Sequence, residues 1–230
     1  PISEIYFYIK SIQNELVDKI NERDYHLLKR IGGGSYSRVY MLPNDSCIKV
    51  FKEIDNGIDK NNLSFINNLK LDNFYQINDF LFDGNNNFAA YTMNYYRPSN
   101  DSILLMPTMY TLDNLNTIGK SIGVLTDNHI FIPDLHSDNV IIGDNNITVI
   151  DTDIYAKSLF FDKDKLEVRN YRALYCLFKM LYKEALYCDF KYCDDDIDNI
   201  NNLFDYNNAD NVKTLRRYKY PIDYIRSTRR

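Results

Sequence analysis

Three oxygen-bearing side chains in one short stretch could do chemistry together. From Ile132 to Asp153 the chain reads I-P-D-L-H-S-D-N-V-I-I-G-D-N-N-I-T-V-I-D-T-D, with Asp134, Asn139 and Asp151 as polar anchors. Two apolar runs, Val140-Ile141-Ile142 and Ile147-Thr148-Val149-Ile150, flank Gly143-Asp144-Asn145-Asn146, whose turn residues predict a hairpin. An acid would then lie in the loop before one strand, an amide at that strand's start and a carboxylate at its partner's end. Such a set can bring three oxygens to one mouth of a small sheet. That suits magnesium, which keeps several waters and takes one or two carboxylates beside substrate phosphates.

A second chemical stretch lies upstream. Gly32-Gly33-Gly34-Ser35-Tyr36-Ser37-Arg38-Val39-Tyr40 follows the β-like run Tyr25 to Ile31 and opens another. Glycines let a backbone approach phosphate closely and turn its N–H groups toward an anion. After a Pro43-Asn44-Asp45 turn, Cys47-Ile48-Lys49-Val50-Phe51 reads as a buried strand with one lysine facing the other way.

In this order the residues resemble the protein-kinase superfamily. Asp134-Leu135 and Asn139 match its catalytic loop H-R-D-L-x-x-x-N, and Asp151 matches the aspartate of D-F-G. Gly32, Gly34 and Val39 match the loop G-x-G-x-x-G-x-V, with Ser37 at the third glycine, and Lys49 matches the lysine of V-A-I-K. The resemblance implies a two-lobed α+β fold, a β-rich small lobe followed by a reduced, mainly helical large lobe. It implies ATP and magnesium as cofactors. Lys49 and the loop Gly32, Gly33, Gly34, Ser35, Ser37 and Val39 would hold the nucleotide's phosphates. Met93 would lie behind the adenine, with Asn94 and Tyr95 offering backbone groups to its edge. Asn139 and Asp151 would hold the metal, and Asp134 would orient the acceptor hydroxyl and take its proton.

The chain also departs from the family pattern. Asn62 stands where a helix glutamate would pair with the strand lysine, leaving Asp59 or Asp151 as candidate partners of Lys49. Ile132-Pro133 replaces His-Arg, which removes the usual receiver of an activation-loop phosphate. Thr152-Asp153 replaces Phe-Gly, and Asn170 replaces the buried aspartate of the large lobe's central helix. Fewer than twenty residues separate Asp151 from that helix, and no A-P-E follows. His136 makes the loop D-L-H-x-x-N, a form seen in small-molecule phosphotransferases and atypical kinases. Its alternatives are a loop histidine in water and a phosphate contact.

The positioning elements follow from periodicity. Residues 2–22 carry Ile2, Ile5, Tyr6, Ile9, Ile12, Leu16 and Ile20 at helical spacing. Residues 59–70 predict a helix with Leu63, Phe65, Ile66 and Leu69 toward the core. Tyr75–Phe82 and Phe88–Tyr95 predict a hairpin joined by Asp83 to Asn87. Thr111–Asn128 predicts a helix whose stripe is Leu112, Leu115, Ile118, Ile122 and Leu125, and the resemblance implies a further helix over Asn170 to Leu177. The expected organisation is an N-terminal helix over 1–24, a small lobe over 25–96 and a large lobe over 97–230.

Composition bounds the rest. The 230 residues, 45% hydrophobic and 26% charged, suit a globular chain with a real core. A net charge of −5 gives no overall pull toward nucleic acid, and none is expected as a partner. The four cysteines lack CxxC pairs and, with three histidines, offer no zinc set. No apolar run approaches a membrane span and the start lacks a signal peptide's regions, so a cytoplasmic protein, or an effector delivered into a host cell, is expected. An acidic stretch, Asp189 to Asp198, precedes a basic end from Lys213 to Arg230; the basic end is read as a solvated surface, not as a membrane contact. The reading is thus a minimal protein kinase acting on serine or threonine, or on tyrosine, of a protein substrate, with room for an activating protein partner. The alternatives are a small-molecule kinase of the aminoglycoside or choline type and a pseudokinase binding module.

Overall fold

A computed structural model describes residues 28–42, 45–52, 57–82, 87–98, 112–143, 147–188 and 198. The N-terminal helix expected over 2–22, the run Tyr25 to Leu27, and the acidic and basic tail, except for Asp198, lie outside them. Among the described residues the chain is a mixed α+β protein with a five-stranded antiparallel sheet and three α-helices. None of those helices is long and apolar enough to cross a membrane. The chain forms two compact units, one from residues 1–67 and 75–95, the other from 68–74 and 96–230.

The first unit is the sheet and one helix. Its strands are β1 (Arg30–Gly33), β2 (Ser37–Leu42), β3 (Ser46–Phe51), β4 (Ile77–Phe82) and β5 (Phe88–Asn94), in the order β1-β2-β3-β5-β4. β3 is thus flanked on both sides, and five of its six residues are buried. Side chains alternate between faces along a strand. One face gathers Tyr40, Leu42, Ile48, Val50, Leu81 and Ala90 with Leu28 into a core. In register with Lys49 on the other face are Val39 of β2 and Tyr91 of β5.

Helix α1 (Lys60–Asn68) begins where Asp59 caps it, its Oδ1 accepting from the Asn61 N–H at 2.8 Å. Leu63 and Ile66 are buried, whereas Phe65 and Leu69, expected in the core, are half-buried. The far end of α1 is pinned to β4. Asn67 donates from Nδ2 to the Ile77 carbonyl at 3.0 Å and accepts the Ile77 N–H at 2.8 Å.

The second unit rests on two helices. α2 (Leu112–Asp127) buries Ile118, Ile122 and Leu125 on one stripe. α3 (Lys163–Cys188) starts seven residues before the segment that the resemblance implied, because Asp162 caps it by accepting the Lys165 N–H at 2.9 Å. Leu166, Leu174, Leu177, Phe178 and Leu181 form its buried stripe. Gly119 and Gly123 of α2 leave room for Tyr171 of α3, whose hydroxyl donates to the Gly119 carbonyl at 3.1 Å.

Two short strand pairs frame the loop that follows α2. β6 (Ile130–Phe131) pairs with β9 (Ala156–Lys157), and β7 (Val140–Ile142) pairs with β8 (Ile147–Val149) as the expected hairpin. The segment after α1 adds a further tie. The Val149 N–H donates to the Asn73 carbonyl at 2.7 Å, and Asn73 Nδ2 donates to the Ile147 carbonyl at 2.6 Å.

Candidate active site

The sheet unit carries the candidate nucleotide groups. Gly32 and Gly33 do not form a loop after a strand, as expected, but lie within β1, paired with Val39 and Arg38 across a bulge. Gly33 has φ 138°, and a Cβ there would meet the Ser37 carbonyl oxygen at 2.7 Å and Arg38 Cα at 2.9 Å. Only glycine fits that approach. The loop proper is therefore Gly34-Ser35-Tyr36, closed by the Gly34 N–H donating to the Ser37 carbonyl at 3.1 Å.

Lys52, just past β3, holds this tip. Its Nζ donates to the Gly34 carbonyl at 2.6 Å and the Ser35 carbonyl at 3.1 Å, and its backbone N–H to the Tyr36 carbonyl at 3.0 Å. In a trans peptide the N–H points opposite to the C=O. Turning the Gly34 and Ser35 carbonyls to one ammonium therefore turns the Ser35 and Tyr36 N–H groups away from it together. Consecutive N–H groups so aligned form an anion-binding concavity. Sequence reasoning missed Lys52, since no pattern distinguishes it from a solvated strand-end lysine.

Lys49 is 4% exposed, with Nζ 6.0 Å from the centre of the Tyr91 ring. Tyr91 in turn stacks on Tyr75, and their hydroxyls are 3.1 Å apart. Asp59, one of the partners considered for Lys49, is exposed and caps α1 instead. Met93 is buried beside Cys47 on β3. The Tyr95 N–H donates to the Asp45 carbonyl at 2.9 Å and the Asn94 carbonyl receives the Cys47 thiol at 3.8 Å, so these two of the backbone groups expected at the adenine edge are engaged. Burial pushes that thiol up to about 11.

The second unit carries the candidate catalytic loop. Asp134 follows β6, and a 3₁₀ turn at Ser137–Asn139 returns the chain to β7, so Asn139 ends that turn instead of starting the strand. Asn139 is buried, and its Nδ2 donates to the Asp134 carbonyl at 3.1 Å and its carboxylate Oδ2 at 3.3 Å. With the amide nitrogen so committed, its oxygen is the face left for a cation. That geometry fits the single amide ligand expected of Asn139.

His136 bonds within the loop. Its Nδ1 accepts the Asp138 N–H at 3.3 Å, and its Nε2 lies 3.0 Å from the other Asp134 oxygen and 3.2 Å from Asn139 Nδ2. The Asp134 carboxylate is thus held from both sides and remains half exposed.

Asp151 follows β8 closely, and the preceding Ile150 N–H donates to the Asn139 carbonyl at 2.8 Å. It has φ 62°, a left-handed conformation uncommon for a non-glycine residue, of the kind found where surrounding structure fixes a functional group. Asp134 and Asp151 also share a neighbour. Burial first, then the charges of these two carboxylates, drives the Tyr155 hydroxyl well above the usual phenol range. Among the described residues no three His, Cys, Asp or Glu side chains gather into a metal-ligating group; the expected pair is one amide and one carboxylate.

Asn170 anchors the loop from below. It is fully buried on the apolar stripe of α3. Its Oδ1 accepts the Ile132 N–H at 3.0 Å, and its Nδ2 donates to the Ile130 carbonyl at 2.8 Å and Thr126 Oγ1 at 2.9 Å. One side chain thereby ties the end of α2, strand β6 and the entry to Asp134. No family model matches the chain, and neither does any curated protein.

Proposed function

We propose that this chain is an ATP- and magnesium-dependent phosphotransferase with a two-lobed protein-kinase-like arrangement. The sheet unit is then the small lobe, and the helical unit is a reduced large lobe. Its acceptor is the hydroxyl of a protein serine or threonine, or of a tyrosine. The observation that carries the reading is the Asp134 carboxylate, bonded to Asn139 on one oxygen and His136 on the other, half exposed at the head of a hairpin that ends at Asp151.

In the proposed reaction Asp134 accepts the acceptor's hydroxyl proton. The acceptor oxygen forms a bond to the γ-phosphorus as the bond to the β–γ bridging oxygen breaks, and ADP leaves with that electron pair. His136 and Asn139 fix the rotamer of Asp134, so little reorganisation is needed as the proton moves. Lys49 and the Ser35 and Tyr36 N–H groups would offset phosphate charge. Magnesium, held by the Asn139 oxygen and Asp151, would neutralise charge on the β- and γ-phosphates.

Ile132, in the place of the family's histidine, is 2% exposed, and no arginine follows it. Activation by a phosphate on the following segment is therefore not part of the proposal. A second reading, transfer to a small-molecule hydroxyl, is favoured by His136 at its Asp-Leu-His position. Calorimetric titration of ATP with and without magnesium tests the assignment. Wild type and Asp134→Ala should bind magnesium-ATP alike, whereas Asp151→Ala should lose the magnesium-dependent part. Equal magnesium dependence in Asp151→Ala would remove it from the metal role.

A further inference from the structure

The first turns of α3 and the residues entering the candidate catalytic loop enclose an open hollow of about 650 Å³, a size typical of ligand pockets. Phe131, Ile132, Pro133 and Phe161 make its wall apolar. Phe131 and Phe161 meet edge to face, with centroids 5.5 Å apart. The guanidinium carbon of Arg169 sits 4.4 Å from the centre of the Phe161 ring, a cation–π contact that positions the group without using its N–H donors. Among the described residues nothing accepts a hydrogen bond from Arg169.

The other charges on the rim are differently placed. Lys165 is held by Asp162 at 2.7 Å, and Arg172 has interactions of its own. The Asp164 carboxylate also stands on the rim. Arg169 is therefore the cation whose donors remain for a ligand, and a guanidinium fork matches a carboxylate with two parallel bonds.

Two exposed apolar residues precede Phe161 in the chain. Leu159 and Phe160, which lead into Phe161, are 86% and 91% exposed. Single exposed apolar residues are ordinary, but adjacent large ones beside an apolar hollow mark a surface that something covers. A small molecule filling the hollow would leave both in water; a polypeptide lying across it would not. Pro133 lines the hollow and Asp134 is the next residue.

We infer that this hollow docks the acceptor protein, taking a large apolar side chain against Phe131 and Phe161 and a nearby carboxylate on Arg169. The inference rests on the phosphotransferase reading for its link to Asp134, but docking is measurable without catalysis. The test uses an array of immobilised short peptides, each with a central serine or threonine, probed without ATP by wild type, Asp134→Ala, Arg169→Glu and Phe160→Ser. Wild type and Asp134→Ala should retain the same peptides, those pairing a large apolar residue with Asp or Glu. Arg169→Glu should retain them on the order of tenfold less, about 1.4 kcal/mol of affinity, and shift toward peptides with Lys or Arg. Phe160→Ser should weaken capture without changing the charge preference.

Capture indifferent to acidic residues, or unchanged in Arg169→Glu, would overturn the inference. The same array with ATP and magnesium separates the two readings. Peptides captured through Arg169 but never phosphorylated would reject phosphotransfer and keep the docking surface. Peptides phosphorylated without any acidic preference would reject the surface and keep phosphotransfer.

Discussion

Asp134 is held at both carboxylate oxygens, and the two holders differ in what they do. Asn139 bonds the backbone carbonyl of Asp134 as well as its side chain, so its loss would loosen the loop itself. His136 touches the side chain from Nε2 and otherwise caps the 3₁₀ turn through Nδ1. His136→Ala should therefore lower kcat for phosphoryl transfer by about tenfold while leaving the KM for ATP near wild type. His136→Asn, which can still cap the turn, should restore thermal stability but not kcat. A kcat equal to wild type in His136→Ala would show that Asn139 alone suffices. Asp134→Ala itself should cost about 10²- to 10⁴-fold, the usual contribution of a positioned base.

Two elements invite contrasting substitutions. At the β1–β2 hairpin, Gly33→Ala places a Cβ against backbone at 2.7 Å in a left-handed conformation, whereas nothing lies within 4 Å of a Cβ at Gly34. Gly33→Ala should destabilise the protein by about 1–3 kcal/mol and Gly34→Ala far less, as read by urea denaturation. Lys52→Met should release the hairpin tip and raise the KM for ATP several-fold with little change in kcat, and Lys52→Arg should recover part of the loss. In the helical unit, Asn170→Ala strands three buried partners at once and should cost about 2–4 kcal/mol. This contrast also marks what the sequence could reveal. Asn170 followed only from the resemblance, as the residue in place of a buried aspartate, whereas α1, α2 and the β7–β8 hairpin followed from spacing and turn residues. Lys52, the His136–Asp134 bond and the Asn73 tie to β8 were not visible, because each joins a polar residue to a partner that only the folded chain brings near. The end of β1 was misread for a related reason: glycines suggest a loop until a paired strand constrains them.

At the scale of the molecule, a buried thiol in one unit and a buried phenol in the other tie stability to pH. Burial holds the Cys47 thiol at about 11 against an ordinary 9.0, and burial with two nearby carboxylates holds the Tyr155 hydroxyl higher still than a free phenol. A raised folded value means the neutral form is favoured by folding. The resulting stability is complete below the unfolded values and declines as pH rises through about 9 to 11. Urea midpoints measured across that window should fall, and less steeply in Cys47→Ala; a flat profile would contradict the burial of both groups. The central claim is phosphoryl transfer directed by Asp134, and intact-mass spectrometry of the purified protein with ATP and magnesium, beside Asp134→Ala, tests it most directly. Phosphotransfer through Asp134 predicts the mass of at least one phosphoryl group added to wild type and none to Asp134→Ala. An unchanged wild-type mass, or equal addition to both proteins, would contradict it.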